Sequence, residues 1–285
     1  MTKSYHTLFL SLIFLACERN IDLNLPEEKP ALVVEGEVSN ENKAWEIKLS
    51  ESAGYYSQNY LPVGDAKVTI SHGAQIDTLF HSAEGIYKTK KNKMGKVGET
   101  YLLTIHWQGN TYTATEQLND QLPLDTVSAF YLPNNNGIVD EGWYAFIGAD
   151  EIQGKRDRDY YEWKVFINDT LYDGNGILID TDEFREVGYW NLLIDPNDPL
   201  AQQDQGILPR PIADGFEEGD TIRIEQYAIS RNYYDFLLGL FNVKNAGGPF
   251  SSPASNPPTN LVSNQTVYGY FKVAHKEIGT IIAGE

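Results

Sequence analysis

Cysteine is almost absent from this sequence, because Cys17 is the only one among 285 residues. A disulfide within the chain is therefore excluded, since it needs two cysteines. A zinc site that includes Cys17 is also excluded, because such sites use several ligands at short spacing and none flank this residue. Chemical modification of the thiol remains as the role for Cys17.

Long apolar runs are missing as well. Leu8–Ala16 has nine uncharged, mostly apolar residues, whereas a helix that crosses a bilayer needs about 20. A polar start with one cation, Lys3, precedes this run and the small Ala16 ends it, which is the layout of a secretory signal. We therefore expect an exported protein.

The position of Cys17 resembles the cleavage site of a bacterial lipoprotein signal, which is cut just before a cysteine that becomes lipidated. The resemblance implies a signal peptide over residues 1–16 and a lipidated tether over residues 17–29. Each buried methylene of an acyl chain contributes about 0.8 kcal/mol, so lipid on Cys17 would anchor the protein without a spanning helix. The alternative is a plain signal peptide with an incidental cysteine.

Cations and catalytic signatures are scarce too. The chain has 22 Lys and Arg against 40 Asp and Glu, for a net charge of −18. Such a field repels phosphate backbones and argues against a nucleic-acid partner, although it also simply keeps a protein soluble. The motifs of serine hydrolases, zinc peptidases and phosphate-binding loops are missing. We therefore expect no enzyme.

What the sequence does contain is β-structure. Between residues 30 and 121, short segments of alternating apolar and polar residues, rich in β-branched and aromatic types, are bounded by turn formers. Their close spacing predicts an antiparallel β-sandwich of immunoglobulin-like kind. We expect a hairpin turn with Gly109-Asn110 at its centre. The predicted strands are Ala31–Val38, Trp45–Ser50, Lys67–Ser71, Ile76–His81, Thr100–Trp107 and Thr111–Leu118.

Residues 122–285 form a second predicted domain, which is β-rich with long loops. Its one amphipathic segment predicts a helix over residues 232–245, capped by Asn232. We expect its apolar stripe to pack on the second sheet rather than to dock a partner. The predicted strands are Thr126–Leu132, Trp143–Ala149, Tyr160–Asn168 and Thr221–Ser230, and the helical stripe consists of Tyr233, Phe236, Leu237, Leu240 and Phe241.

Aromatic residues are the main resource for ligand or partner binding, because their flat faces stack on sugars or grip peptides. Tyr189 and Trp190 are the first candidates, since they lie in the longest irregular stretch, and a second cluster holds Tyr160, Tyr161 and Trp163. The alternative is that these rings pack across strands within a sheet.

Calcium is the one cofactor that the sequence suggests. Asp169, Asp173 and Asp180 match three positions of the calcium loop D-x-[DN]-x-[DN]-G-x₅-E. Leu171 stands at a ligand position and no helices are predicted on either side, which favours a solvated acidic turn instead.

Several segments resemble an uncharacterised family of lipoproteins, classed only as domain of unknown function 4249 and encoded beside TonB-dependent outer-membrane receptors of the SusC type. The resemblance covers nearly the whole mature chain. It implies an outer-membrane location facing the cell exterior and a role in nutrient capture for the receptor, but no known substrate and no catalytic residue. The aromatic side chains suggest a peptide, a glycan or another nutrient as ligand. The segments are Pro30–Glu41, Tyr233–Asn242, Gly247–Pro258 and Asn264–Val273.

Taken together, these patterns predict a surface-anchored lipoprotein that serves as the accessory or capture subunit of a TonB-dependent uptake system. An adhesin or structural surface protein is the alternative, because an immunoglobulin-like sandwich suits either role.

Overall fold

The N-terminal region consists of short strands whose side chains alternate between core and solvent. In strand β7, for example, Tyr101, Leu103, Ile105 and Trp107 are buried while the residues between them are more exposed. The computed structural model describes residues 29–53, 60–120, 124, 126–132, 141–148, 160–172, 178–181, 210–245 and 255–285. The strands here are β1 (Leu32–Ser39), β2 (Glu46–Glu51), β3 (Leu61–Pro62), β4 (Lys67–His72), β5 (Gln75–Ala83), β6 (Ile86–Thr89), β7 (Thr100–Trp107) and β8 (Asn110–Gln117).

These strands pair antiparallel in the order β1-β2-β6-β5-β4-β7-β8. They enclose a core of apolar side chains, in which Trp45, Ile47 and Leu103 are almost completely buried. The predicted mainly β class is confirmed, and the arrangement is compatible with an immunoglobulin-like sandwich.

The hairpin between β7 and β8 turns one residue earlier than the sequence predicts. Trp107 pairs with Asn110, so Gln108 and Gly109 form the centre of the turn, and the prediction of Gly109-Asn110 is wrong. Both central residues have positive φ, 47° and 75°. A two-residue turn of this kind requires positive φ at both positions, and glycine meets that requirement best at the second.

The second region holds the remaining elements. Strands β9, β10 and β14 form a three-stranded sheet, and β11 and β15 pair antiparallel beside it. Tyr161, Trp163, Ile222 and Ile224 are buried in a second apolar core. The elements are β9 (Thr126–Leu132), β10 (Gly142–Gly148), β11 (Tyr160–Ile167), β12 (Thr170–Leu171), β13 (Leu178–Thr181), β14 (Arg210–Phe216), β15 (Thr221–Ile229), α1 (Arg231–Asn245), β16 (Leu261–Val262) and β17 (Val267–Ile282).

The long strand β17 joins the two regions. Residues 267–274 pair parallel with β1, and residues 275–282 pair antiparallel with β15. Gly269 has φ +92°, and a Cβ at this position would lie 1.9 Å from the carbonyl oxygen of Val34 in β1. Only glycine therefore permits this close pairing of β17 with β1.

The other side of the first sandwich is closed by the chain that precedes β17. Strand β16 pairs with β8. The Asn260 side chain bonds both the backbone N–H and the carbonyl of Phe271 in β17 and donates to Glu116 in β8. Residues 260–274 therefore pair and bond with strands β1 and β8 of the N-terminal region.

The predicted helix is present as α1, but its cap differs from the prediction. The hydroxyl oxygen of Ser230 accepts a bond from the backbone N–H of Tyr233 at 3.2 Å, which is the geometry of an N-cap. Asn232 lies inside the first turn, so its assignment as the cap is wrong. Within the described part of the chain, no helix has the length and apolarity to cross a membrane.

The apolar stripe of α1 is buried at its start and open at its end. Tyr233, Phe236 and Leu237 pack with residues of β15 and β17, as the sequence predicts. Leu240 and Phe241 remain 38% and 42% exposed. Gly239 lies against the segment before β16, where a Cβ would meet the Cα of Pro257 at 2.9 Å.

Candidate functional site

One face of the joined sheet carries charged side chains instead of apolar ones. Alternate residues of β1, β17, β15 and β11 fill the two apolar cores, and the residues between them point to the side on which α1 packs. We call this side the charged face. It consists of Glu37, Glu162, Lys164, Glu225, Tyr227, Lys272 and Lys276, which the strand register brings together.

Lys272 is the centre of the charged face. Its side chain is almost completely buried, and its ammonium lies 2.8 Å from Glu162 and 3.2 Å from Glu37. The same nitrogen lies 3.7 Å from the ring centre of Tyr227. Burial alone would lower the pKa of Lys272, but the attraction of Glu162 and Glu37 outweighs it and raises this pKa. Lys272 is therefore held as a cation.

Glu37 is correspondingly held as an anion. Burial acts to raise its pKa, but Lys272 and Lys43 lower it to about 2. The ammonium of Lys43 lies 2.9 Å from Glu37 and 2.8 Å from Glu41. These carboxylates keep their charge at any physiological pH, so they provide fixed electrostatics rather than a proton donor.

The network continues toward the end of β17. Lys276 lies 3.0 Å from both Glu41 and Glu225, and the hydroxyl of Tyr227 donates to Glu225 at 2.8 Å. Burial, Glu37 and Glu225 together raise the pKa of Tyr227, so this phenol stays protonated. The amide of Asn40 bonds the backbone N–H and carbonyl of Lys276 and so fixes the end of β1 beside β17.

A groove of about 860 Å³ lies between α1 and the charged face. One wall is apolar, and its rings of Tyr233, Phe236 and Tyr270 lie 5.0 to 5.8 Å apart. The opposite wall is built from β1, β2, β11 and β17. The apolar wall holds Tyr233, Phe236, Leu237, Leu240 and Pro257, and the polar wall holds Glu35, Glu37, Lys43, Glu46, Lys48, Lys164 and Lys272.

The charges on the polar wall are paired, with one exception. Glu35 lies 3.4 Å from Lys48, and Glu46 lies 2.8 Å from Lys88. Lys164 has no carboxylate within ion-pair distance among the described residues, and its closest partner is the ring of Tyr227, 5.0 Å away. Lys164 is half-buried at the groove. Among the described residues, Lys164 is therefore a cation outside the ion pairs of this wall that lies beside apolar side chains, and its charge acts only at longer range on Glu37.

The aromatic candidates that the structure describes do not line the groove. Tyr161 and Trp163 are buried in the second core, where their rings stack and the indole N–H of Trp163 donates to Gln226. Tyr160 is half-buried against the Tyr234 ring of α1. The remaining candidates, Cys17, Tyr189 and Trp190, lie outside the described residues.

Two of the three calcium candidates lie among the described residues. Asp169 lies with Asn168 in the turn between β11 and β12, where both residues have positive φ, and its exposed carboxylate is 3.7 Å from Arg223. Asp180 contributes its backbone to β13, opposite Tyr161, and Asp173 lies outside the described residues. Among described residues, no group of three or more metal-ligating side chains is present.

Sequence reasoning did not find the groove residues. A signal was present, because "VEGEV" in β1, "YYEWKVF" in β11 and "GYFKVAHKE" in β17 all place charged residues within strands that are otherwise buried. A charge inside such a strand usually has a partner. The partner strands could not be identified, since Glu37 and Lys272 meet only through the pairing of β1 with β17.

Comparison with known proteins gives one match. No curated protein sequence matches the chain significantly. The sequence model of a family described as "Domain of unknown function (DUF4249)" matches residues 18–278, which is most of the chain. The chain therefore belongs to the DUF4249 family.

Proposed function

We propose that this protein is a lipoprotein, anchored to the outer membrane through Cys17 and facing the cell exterior, that captures a nutrient for a TonB-dependent receptor of the SusC type. The short apolar run before Cys17 and the resemblance to lipoproteins encoded beside such receptors support the location. The family itself is described without a function.

The groove is the observation that carries the capture role. Its volume of about 860 Å³ lies within the range of roughly 300–1,000 Å³ that is usual for small-molecule sites. It combines an apolar wall with a few fixed charges, as such sites do. The salt bridges of Lys272 and Glu37 hold both side chains in place, so the groove is largely preformed.

Affinity purification from native membranes tests the partner. The protein, tagged at its C-terminus, is isolated after mild solubilisation, and co-purifying proteins are identified by mass spectrometry. We expect a TonB-dependent receptor at about equal stoichiometry. Recovery of the lipoprotein alone, under conditions that preserve other receptor complexes, would contradict the capture role and favour the adhesin.

The variant Cys17→Ser tests the anchor separately. Without the thiol no acyl chain can be attached, so we expect the variant to leave the membrane fraction while wild type stays in it. Protease treatment of intact cells then tests whether the anchored wild type faces the exterior. Membrane association that survives Cys17→Ser would contradict the lipid anchor.

A further inference from the structure

We propose that the groove between α1 and the charged face binds an amphipathic organic anion, a molecule with a flat or chain-like apolar body and one carboxylate-type group. The body would lie on the apolar wall and the anionic group would pair with Lys164. This inference rests on the proposed function, because it names the chemical class of the captured nutrient.

The apolar wall determines the character of the ligand body. Tyr233 and Phe236 stack on each other, and both contact Tyr270 beneath them. Leu240 continues this surface along the helix and is 38% exposed. A ligand without an apolar portion would leave the exposed parts of this wall in water, whereas an apolar ligand body that covers them gains binding free energy in proportion to the apolar area removed from water.

The polar wall determines the charge of the ligand. Its carboxylates are already neutralised, since Glu35 pairs with Lys48, Glu37 with Lys43 and Lys272, and Glu46 with Lys88. A cationic ligand would have to break one of these pairs. Lys164 is the cation on this wall without such a pair among the described residues, so an anion gains a partner there and displaces none.

The net charge of the protein limits the number of anionic groups that the ligand can carry. The chain carries a formal net charge of −18, so a polyanion such as a nucleotide or an oligonucleotide is repelled over its whole length. One anionic group beside Lys164 is favoured locally because a half-buried pair is screened less by salt and solvent than an exposed one. A monoanion with an apolar body satisfies both conditions.

Two dyes that differ in one group test the proposal. 8-Anilinonaphthalene-1-sulfonate has an arylamine body with an anionic group, and N-phenyl-1-naphthylamine has the same body without it. Fluorescence titration uses the full chain carrying Cys17→Ser, so that no lipid competes. We expect the anionic dye to bind about 10-fold more tightly, as one charge-assisted contact provides.

Four variants locate the binding. Lys164→Met should weaken the anionic dye about 10-fold and change the neutral dye less than 2-fold, whereas Lys164→Arg should preserve both affinities. Leu240→Asp should weaken both dyes. Lys67 is an exposed lysine on β4 that does not line the groove, so Lys67→Met is the control and should change neither affinity. Thermal unfolding of each variant verifies that it is folded.

Equal affinity for the two dyes in wild type would overturn the inference, and so would a ratio of affinities that Lys164→Met leaves unchanged. Displacement of the bound dye by dodecanoate but not by dodecanol would support it. Receptor co-purification is measured independently of dye binding. A receptor partner without selective dye binding therefore refutes only this inference, and selective dye binding without a receptor refutes only the uptake role.

Discussion

The interior of the first sandwich and the charged face share strands β1 and β17, yet they are stabilised in different ways. The sandwich interior is lined by apolar side chains such as Ile47, Leu103 and Phe271. On the other side of the sheet, Glu162 and Lys272 are nearly as buried as those residues. Consecutive residues of one strand therefore lie alternately in an apolar core and in a network of ion pairs.

The difference indicates which interactions fix the relative positions of the strands. An apolar core tolerates some rearrangement, because dispersion and the hydrophobic effect are not directional. A buried ion pair stabilises only when both partners are present, since a single buried charge is strongly unfavourable. The charged face thus fixes the positions of β1, β11, β15 and β17 relative to one another, and the groove inherits that geometry.

Removal of the central cation should have the largest effect. Lys272→Met leaves the buried Glu162 without this cation, beside the half-buried Glu37, which keeps only Lys43. We expect the free energy of unfolding at pH 7 to fall by about 3–5 kcal/mol. Urea denaturation of variant and wild type measures this difference.

An exposed lysine provides the control for this prediction. Lys88 forms an equally short ion pair, 2.8 Å from Glu46, but both side chains are about 45% exposed. Lys88→Met should therefore change stability by less than about 1 kcal/mol. Equal effects of the two substitutions would show that burial of the pair is not what matters.

A cavity in the sandwich should have the next largest effect. Leu103 is completely buried, so Leu103→Ala should lower stability by about 3 kcal/mol through lost burial and an unfilled cavity. Unlike the effect of Lys272→Met, this loss should be the same at pH 4 and pH 7, as measured by urea denaturation at both values. A strong pH dependence would indicate that the two faces are energetically coupled.

Lowering the pH should reduce the stability of the protein mainly through the charged face. Since the folded pKa of Glu37 is about 2 and its ordinary value is 4.5, the unfolded chain takes up its proton first. The stability that Glu37 contributes is therefore complete above about pH 5 and is lost as the pH falls toward 2. The expected loss is about 2 kcal/mol after allowance for partial exposure.

Glu37→Gln isolates this contribution. The variant should be less stable than wild type at pH 7, and the gap should close as the pH approaches 2, measured by denaturation at half-unit steps. The pKa values of Glu41 and Glu225 are also lowered, because bonds from Lys43 and Lys276 to Glu41, and from Tyr227 and Lys276 to Glu225, outweigh burial. Both parent and variant therefore retain some acid sensitivity. A constant gap across the range would contradict the assigned pKa of Glu37.

Local patterns were sufficient to predict most strands. Alternation of buried and exposed residues in β7 and β8 marks their faces directly, and the observed bounds agree with the prediction for β7 and differ by one residue at each end for β8. Local patterns do not predict which strands pair with each other. Nothing in the residues around Val267 indicates that they pair with Leu32, because parallel pairing of β1 with β17 depends on the complete tertiary fold.

The site was less predictable than the fold for the same reason. The segment "YYEWKVFI" places aromatic residues on both faces of β11, and sequence alone does not show which face meets a core. Tyr161 and Trp163 enter the second core, whereas Glu162 pairs with Lys272 on the charged face and Lys164 lines the groove. The aromatic residues of β11 that the sequence suggested as binding residues therefore pack in a core. The candidate site instead includes a charged residue of the same strand, Lys164.

The smallest expected change in stability comes from substitutions at the start of helix α1, which lines the groove. The sequence favours Asn232 as its cap, but the structure assigns that role to Ser230, whose oxygen accepts the N–H of Tyr233. Ser230→Ala should lower stability by at least about 1 kcal/mol, since that N–H loses its partner and Glu116 and Tyr270 lose a hydrogen bond to the same hydroxyl. Asn232→Ala, within the first turn, should be neutral or slightly stabilising, because alanine has the higher helix propensity. Thermal unfolding of both variants decides between the two caps: the larger loss marks the residue that begins the helix and so positions Tyr233 over the charged face.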